Sequence, residues 1–274
     1  MNFKIALCQM KGSFDKKESL AKAESMIREA ASKGADVIAL PEMWNCPYAT
    51  QYFKEYAEEE SGETVHFMSS LSKELKVYLV AGSIPELERL KNGEERVYNT
   101  NFSFDKSGAL IGKHRKAHLF DIDVKGGIRF KESDILTSGR EVTIIDTEYC
   151  KIGIAICYDV RFPELFRKMT LSGVKAVILP AAFNMTTGPA HWEITMRARA
   201  LDNQIYFAAV SPARDQQAPY QAYGNSCLVN PWGEFCAKAD SRETIVYGTV
   251  DLDYLDEIRE QLPLLKHRKP ELYD

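Results

Sequence analysis

The sequence predicts an α/β fold in which helices face two packed, mixed sheets. Between residues 4 and 81, apolar runs of strand length alternate with amphipathic stretches, which is typical of β-α-β units. From residue 96 onward, apolar runs also follow one another across short polar turns, as the strands of hairpins do. No internal repeat, low-complexity tract or linker interrupts the 274 residues. We therefore expect one domain over residues 1–274, with a C-terminal tail from about residue 262.

The N-terminal segment predicts a parallel strand-helix-strand unit. Residues 4–10 form an apolar strand, and residues 19–33 carry an apolar helical face that ends at Gly34. Residues 36–40 form a second buried strand, which a right-handed crossover joins to the first. Glu42 therefore follows the carboxyl end of a strand.

The rest of the chain continues this alternation and then changes to hairpins. After a tyrosine-rich loop, the pattern predicts a helix at 63–75, a strand at 77–81, and two strands within 96–113 joined by a turn at 105–108. Residues 113–137 lack a period and contain Gly126-Gly127, so we interpret them as a long loop, which in a compact domain is usually functional. Later strands are predicted at 142–147, 151–156, 176–179, 205–210, 227–230, 234–239 and 244–250, and helices at 164–172, 190–202 and 252–261.

Cys157 lies at a predicted elbow between a strand and a helix. It follows the apolar run 151–156, and Pro163 suits the first turn of the next helix. Backbone N–H groups at such an elbow lower a thiol pKa and bind an oxyanion, so the position suits a nucleophile. The alternative is a small buried core cysteine.

The composition is that of a soluble globular protein, with 45% hydrophobic and 27% charged residues. A net charge of −4 gives no electrostatic basis for binding nucleic acid or an anionic membrane, so small molecules or proteins are the expected ligands. No secretory segment or membrane-length apolar run occurs in the sequence, which predicts a cytoplasmic protein. The six cysteines form no CxxC pair and are expected to be free thiols.

Three motifs occur in a specific order: Leu40-Pro41-Glu42, His114-Arg115-Lys116, and GIAICYDVRFPE at residues 153–164. In these motifs the chain resembles the nitrilase superfamily of carbon–nitrogen hydrolases, and the resemblance extends to about residue 265. It implies a four-layer αββα sandwich of the nitrilase type, a homodimer, and a reaction that needs neither a cofactor nor a metal. The resemblance is closest to the omega-amidase branch, notably at residues 182–193 and 211–215.

The resemblance implies a Glu-Lys-Cys triad and assigns its roles. Cys157 would attack the amide carbon, and Glu42 would accept the thiol proton and pass it to ammonia. Lys116 would stabilise the oxyanion together with the backbone N–H of Tyr158. Glu132 matches a second glutamate that orients the lysine, although a solvated loop carboxylate is the alternative.

The resemblance also suggests residues around the triad. The substrate pocket would be lined by Tyr48, Phe183, Thr186 and Thr187, and the sequence shows no unique cation for a substrate carboxylate. Arg161 and Glu164 would be buried structural partners near the elbow. The three histidines near these motifs, His114, His118 and His191, are not spaced as metal ligands with acidic partners, and His191 with Trp192 is expected to pack in a helix.

These features predict an amidase that releases ammonia from the terminal amide of short 2-oxo dicarboxylate monoamides, such as α-ketoglutaramate and α-ketosuccinamate, through a cysteine thioester. A first alternative is an amidase for deaminated glutathione, or another amidase or carbamoylase of the superfamily, with a roomier pocket. A second alternative is a catalytically inactive binding module, which the presence of all three triad residues disfavours.

Overall fold

Two mixed β-sheets pack face to face, and helices cover the outer face of each sheet. The computed structural model describes residues 1–125 and 129–273. Up to residue 131 the elements are β1 (Asn2–Gln9), α1 (Lys16–Ser32), β2 (Val37–Ala39), α2 (Thr50–Tyr56), α3 (Glu63–Leu75), β3 (Tyr78–Val80), β4 (Ile84–Arg89), β5 (Glu95–Phe104), β6 (Leu110–Arg115), β7 (Asp121–Asp123) and β8 (Arg129–Lys131).

The remaining elements complete the second sheet and return the chain to the first. They are β9 (Thr143–Asp146), β10 (Lys151–Ile154), α4 (Pro163–Leu171), β11 (Val174–Pro180), α5 (Gly188–Asn203), β12 (Tyr206–Val210), β13 (Cys227–Val229), β14 (Phe235–Lys238), β15 (Thr244–Asp251) and α6 (Leu252–Gln261). Short 3₁₀ turns cover Glu132–Asp134, Cys157–Arg161 and Pro270–Leu272.

The strand order explains how distant motifs meet. The first sheet has the order β15-β1-β2-β3-β5-β4, with β6 also paired to β5. The second sheet has the order β14-β13-β12-β11-β10-β9, and β7 and β8 form a separate hairpin. The pairs β1–β2 and β2–β3 in the first sheet, and β10–β11 and β11–β12 in the second, are parallel. Glu42 follows β2 and Cys157 follows β10, so each residue lies beyond the carboxyl end of a strand that is parallel to a neighbouring strand.

Three apolar layers hold the four structural layers together. Side chains from both sheets, including Leu7, Ile154 and Ile178, form the central layer. A second cluster packs α1 and α3 on the first sheet, and a third packs α4 and α5 on the second, where Trp192 and Met196 are fully buried. Burial of one large aliphatic or aromatic side chain stabilises a fold by about 1.5–3 kcal/mol. The predicted αββα sandwich is confirmed.

Helix boundaries follow from local capping. The Asp15 carboxylate accepts the backbone N–H of Lys17 at 2.7 Å and starts α1, earlier than the predicted residue 19. Gly34 has a φ of 78° just beyond the end of α1, where a left-handed residue terminates a helix and glycine carries no steric cost. The predicted bounds of α3 and α6 match the structure.

The structure corrects two sequence predictions and adds one strand that the sequence pattern does not predict. Residues 50–56, expected to be loop, form α2, and residues 84–89, left unassigned, form β4. The sequence does not predict β4 because Glu86 interrupts its apolar pattern. The Glu86 side chain is nevertheless buried, and its Oε1 accepts a hydrogen bond from Arg115 Nη2 at 2.7 Å. The predicted loop 113–137 contains the end of β6 and the β7–β8 hairpin, and its pair Gly126-Gly127 lies outside the described residues. Among the described residues, the helices lack the length and apolar character needed to cross a membrane.

Candidate active site

Glu42 is held in a turn that the surrounding backbone constrains closely. Its side chain is buried, and the next residue, Met43, has the left-handed φ of 50°. Gly82 packs against this turn with a φ of 61°, and a Cβ there would lie 2.2 Å from the Pro41 carbonyl oxygen. The Ser83 hydroxyl accepts the Met43 N–H at 3.1 Å. These contacts fix the direction in which the Glu42 carboxylate points.

The two oxygens of Glu42 have different numbers of donors. Oε1 accepts three hydrogen bonds, from Lys116 Nζ at 3.0 Å, Asn99 Nδ2 at 2.8 Å and the Tyr48 hydroxyl at 3.1 Å. Oε2 accepts one, from the backbone N–H of Ala182 at 2.8 Å. Because a carboxylate oxygen has two lone pairs, Oε2 is the oxygen that keeps capacity to take up a proton.

Lys116 lies directly after β6 and is fully buried. Its ammonium group is 3.0 Å from Glu42 and 2.9 Å from Glu132. Burial lowers the pKa of Lys116, but the charges of Glu132 and Glu42 outweigh burial and hold that pKa well above its usual value. The lysine is therefore a permanent cation at neutral pH.

Glu132 opens the 3₁₀ turn after β8 and is also fully buried. Its Oε2 accepts the Phe120 N–H at 2.7 Å, which ties it to the segment after Lys116. Burial raises the pKa of Glu132, and the nearby Lys116 charge opposes that rise only in part. The alternative of a solvated loop carboxylate is wrong for this residue.

Tyr48 lies against the two carboxylates. Its hydroxyl is 3.1 Å from both Glu42 Oε1 and Glu132 Oε1, so its single proton is used within the cluster. Burial raises the pKa of Tyr48 well above its usual value, and both carboxylate charges add to the effect. Its ring lies 4.5 Å from that of Tyr220. The ring of Tyr48, a predicted pocket residue, therefore forms part of an aromatic wall, and its hydroxyl is a hydrogen-bond donor to the carboxylates of Glu42 and Glu132.

Cys157 is the first residue of the 3₁₀ turn at the predicted elbow, and Pro163 starts α4 as expected. The thiol is buried, and the residue has a φ of 44°, which costs energy for a side chain with a Cβ. Burial raises the pKa of Cys157 well above its usual value; the Glu42 charge adds to this rise and Lys116 opposes it. The expectation that the elbow lowers this pKa is wrong, because burial outweighs the favourable groups, and the resting residue is a thiol.

The other predicted pocket residues follow the elbow and β11. Tyr158 is half-buried and packs edge-on against Phe120, with ring centroids 5.2 Å apart. Phe183 is buried against Trp192. The hydroxyl of Thr187 donates to Asn184 Oδ1 at 3.3 Å, whereas Thr186 is exposed and donates its backbone N–H to the same oxygen.

Arg161 and Glu164 do not form the predicted buried pair. Glu164 is exposed in the first turn of α4, where a carboxylate suits the helix dipole. Arg161 is half-buried, with its guanidinium 4.9 Å from the ring centroid of Phe183 and 3.0 Å from His191 Nδ1. Burial lowers the pKa of Arg161, and the nearby Cys157 opposes this. The arginine is therefore a partly desolvated cation beside the elbow, and His191 is exposed rather than packed.

Sequence reasoning missed two groups that contact Glu42, namely the Asn99 side chain and the Ala182 N–H. A signal for Asn99 exists in β5, where Asn99, Thr100, Asn101 and Ser103 are all fully buried polar residues in one strand. Buried polar groups in a strand require partners and often mark a site. No comparable signal exists for a backbone N–H.

A cavity of about 350 Å³ reaches the Glu42 carboxylate from the surface. Its lining includes Met10, Phe14, Glu42, Tyr48, Asp215 and Tyr220. Within the described residues, neither Cys157 nor Lys116 lines it. No group of three His, Cys, Asp or Glu side chains in residues 1–125 and 129–273 has a metal-binding arrangement.

Residues 4–260 match the family model described as carbon–nitrogen hydrolase. The chain is 51% identical over 271 residues to omega-amidase NIT2 of Xenopus tropicalis, covering 99% of this chain and 96% of the relative. It is 48% identical over 272 residues to omega-amidase NIT2 of Homo sapiens, covering 99% and 97%. The crystal structure of Saccharomyces cerevisiae Nit3, a member of branch 10 of the nitrilase superfamily, superimposes with a TM-score of 0.89 at 40% identity, covering 98% of this chain and 97% of that one.

Proposed function

The chain belongs to the carbon–nitrogen hydrolase family, and from this premise we propose that it is an omega-amidase. Its substrates would be α-ketoglutaramate, α-ketosuccinamate and similar short 2-oxo dicarboxylate monoamides, from which it releases ammonia. The observation that carries the proposal is the buried cluster of Glu42, Lys116 and Glu132 beside the Cys157 thiol. The full-length similarity to omega-amidases supports the substrate class.

The first step forms a bond between Cys157 Sγ and the amide carbon. The thiol proton moves to Glu42 Oε2, the carboxylate oxygen with a single donor. The amide oxygen becomes an oxyanion, which Lys116 and the backbone N–H of Tyr158 stabilise. The high pKa of the buried thiol explains why proton transfer accompanies the attack instead of preceding it.

The second step breaks the carbon–nitrogen bond and leaves a thioester. Glu42 returns its proton to the nitrogen, so that ammonia leaves instead of an amide anion. Water then attacks the thioester and gives a proton to Glu42, the carbon–sulfur bond breaks, and the thiol regains the proton. Lys116 remains charged throughout because Glu132 and Glu42 flank it.

Arg161 supplies the cation that the sequence did not reveal. It lies four residues beyond Cys157, is partly desolvated, and has the ring of His191, not a carboxylate, at hydrogen-bond distance from its guanidinium. A guanidinium binds a carboxylate with two parallel hydrogen bonds. Phe183 lies under the guanidinium, and Thr186 and Thr187 follow in the same turn, so we assign these residues to the substrate carboxylate and its short carbon chain.

The decisive experiment is a substrate panel that measures ammonia release from α-ketoglutaramate, deaminated glutathione, a neutral aliphatic amide and a nitrile. We expect the highest kcat/KM for α-ketoglutaramate. Arg161→Met should raise KM for α-ketoglutaramate about 10- to 100-fold, since hydrogen bonds to charged groups contribute about 1.5–3 kcal/mol, and leave the neutral amide nearly unaffected. A higher kcat/KM for deaminated glutathione would contradict the assigned substrate and favour an amidase for deaminated glutathione. Absence of cleavage of every amide in the panel would favour a catalytically inactive binding module.

We also propose a homodimer. Ile194 and Leu201 lie seven residues apart on one face of α5, and Trp232 lies in the turn that packs on α5 through Gly233. These three large apolar side chains are 68%, 40% and 46% exposed, which is the kind of surface that a second subunit covers. We expect sedimentation to show a dimer, and Ile194→Lys with Trp232→Lys to shift it to a monomer.

All six cysteines are free thiols, which supports a reducing compartment such as the cytoplasm.

A further inference from the structure

Asp159 is a fully buried carboxylate two residues beyond Cys157 that the proposed chemistry does not use. It accepts four hydrogen bonds. Oδ1 binds the His118 N–H at 2.9 Å and His118 Nδ1 at 2.7 Å, and Oδ2 binds His114 Nε2 at 3.1 Å and the Ile156 N–H at 3.0 Å. Burial raises the pKa of Asp159, but the bonds from His114 and His118 outweigh it and hold that pKa below its usual range.

The four donors belong to the two segments that carry the nucleophile and the cation. His114 and His118 flank Lys116 on both sides, two residues away in each direction. Ile156 directly precedes Cys157. One carboxylate therefore joins the backbone around Lys116 to the backbone around Cys157, although the two residues come from different sheets.

A second contact joins the same two segments. The His118 ring stacks on Phe162, with centroids 3.7 Å apart and an angle of 12° between the planes. Cys157 has the unfavourable φ of 44°, and such a conformation persists only where the surroundings over-determine it. The hydrogen bonds to Asp159 and this stacking supply that constraint.

We propose that Asp159 and His118 are positioning residues that hold Lys116 and Cys157 at the separation that amide cleavage requires. This inference rests on the proposed function for the identity of the reacting groups. Neither positioning residue needs to touch the substrate. Displacement of a reacting group by about 1 Å costs about 100-fold in rate, so a loss of this connection should be visible in kcat.

The first test replaces the carboxylate. Asp159→Asn keeps the shape but turns one acceptor oxygen into an NH₂ group, which faces the donors of Ile156 or His118. We expect kcat to fall about 100-fold while KM changes less than about threefold. Asp105→Asn is the matched control, because Asp105 accepts the N–H groups of Ser107 and Ala109 in the hairpin after β5 and should affect Tm alone.

The second test separates hydrogen bonding from stacking at His118. Both variants keep the bond from the backbone N–H of residue 118 to Asp159. Of the side-chain contacts, His118→Asn retains a donor near the Nδ1 position, whereas His118→Phe retains the stacking on Phe162. We expect kcat to fall about tenfold in the phenylalanine variant and less than about threefold in the asparagine variant. Equal losses in the two variants would overturn the role of the hydrogen bond. If Asp159→Asn does not fold, the two His118 variants still test whether the hydrogen bond between His118 and Asp159 is required.

A third readout does not depend on any substrate. Lys116 favours the thiolate of Cys157, so misplacement of either residue should slow alkylation of Cys157 by iodoacetamide relative to the exposed Cys236. We expect the ratio of the Cys157 alkylation rate to the Cys236 alkylation rate to fall about tenfold in Asp159→Asn. An unchanged ratio together with an unchanged kcat would overturn the positioning role. A wild-type chain without amidase activity would refute the proposed function, while the ratio of alkylation rates would still test the positioning role of Asp159.

Discussion

Replacement of Cys157 by alanine is expected to abolish ammonia release, with a fall in kcat of about 10⁴-fold or more. The reason is that every later step passes through the thioester formed on this sulfur. Lys116 would still polarise the amide carbonyl, but Glu42 would have no nucleophile from which to accept a proton. Cys157→Ser should retain little activity, because a hydroxyl at this position requires a stronger base than a carboxylate.

The chain itself offers the controls for this experiment. Cys150 is half-buried and Cys236 is exposed, and both lie outside the cluster around Glu42. Cys150→Ala and Cys236→Ala should therefore keep wild-type kcat/KM. Mass spectrometry of the wild type during turnover should reveal an adduct on Cys157 with the mass of the acyl group. Substantial activity in Cys157→Ala would contradict the mechanism outright.

The positions of Glu42 and Cys157 were predictable because their signals are local. Each follows a short apolar run, and a strand of this kind ends where the run ends. Pro163 marks the start of the next helix, and the structure has it as the first residue of α4. Because β2 is parallel to β1 and β10 is parallel to β11, each of the two residues lies just beyond the carboxyl end of a strand in a parallel pair.

The electrostatics of the site could not be predicted in the same way, because they depend on contacts between distant parts of the chain. The partners of Glu42 come from residues 48, 99, 116 and 182, which only the tertiary structure brings together. The raised pKa of Cys157 likewise depends on complete burial, which no local pattern reports. The buried pairing proposed for Glu164 failed for the same reason, since position in a motif does not determine exposure.

Replacement of Lys116 by methionine is expected to damage both catalysis and stability. Methionine fills a similar volume but leaves Glu42 and Glu132 buried without their common cation. Removing one partner of a buried ion pair costs about 3–5 kcal/mol, so the free energy of unfolding should fall by about that amount. Loss of the oxyanion partner should lower kcat by about 10³-fold. Urea unfolding and ammonia release measure the two effects.

The stability loss in Lys116→Met should grow with pH, and its sign follows from Glu132. Burial already raises the pKa of Glu132 above its ordinary value of 4.5, and loss of the opposing Lys116 charge raises that pKa further. A carboxyl with a higher pKa in the folded protein stabilises the fold at low pH and loses that contribution as pH rises through the folded pKa. The deficit relative to wild type should therefore be smaller at about pH 5 than at about pH 8.

A second substitution separates the structural from the catalytic part of this effect. Glu132→Gln added to Lys116→Met removes one buried negative charge while keeping an amide that can bond to Tyr48 and the Phe120 N–H. The double variant should recover most of the unfolding free energy, because Glu42 keeps its donors Asn99, Tyr48 and the Ala182 N–H. It should also lose the pH dependence that derives from Glu132, because a glutamine does not titrate. Its kcat should remain about 10³-fold low, since neither substitution restores a cation at the oxyanion. Recovery of activity together with stability would mean that Lys116 supports the fold and that another group stabilises the oxyanion.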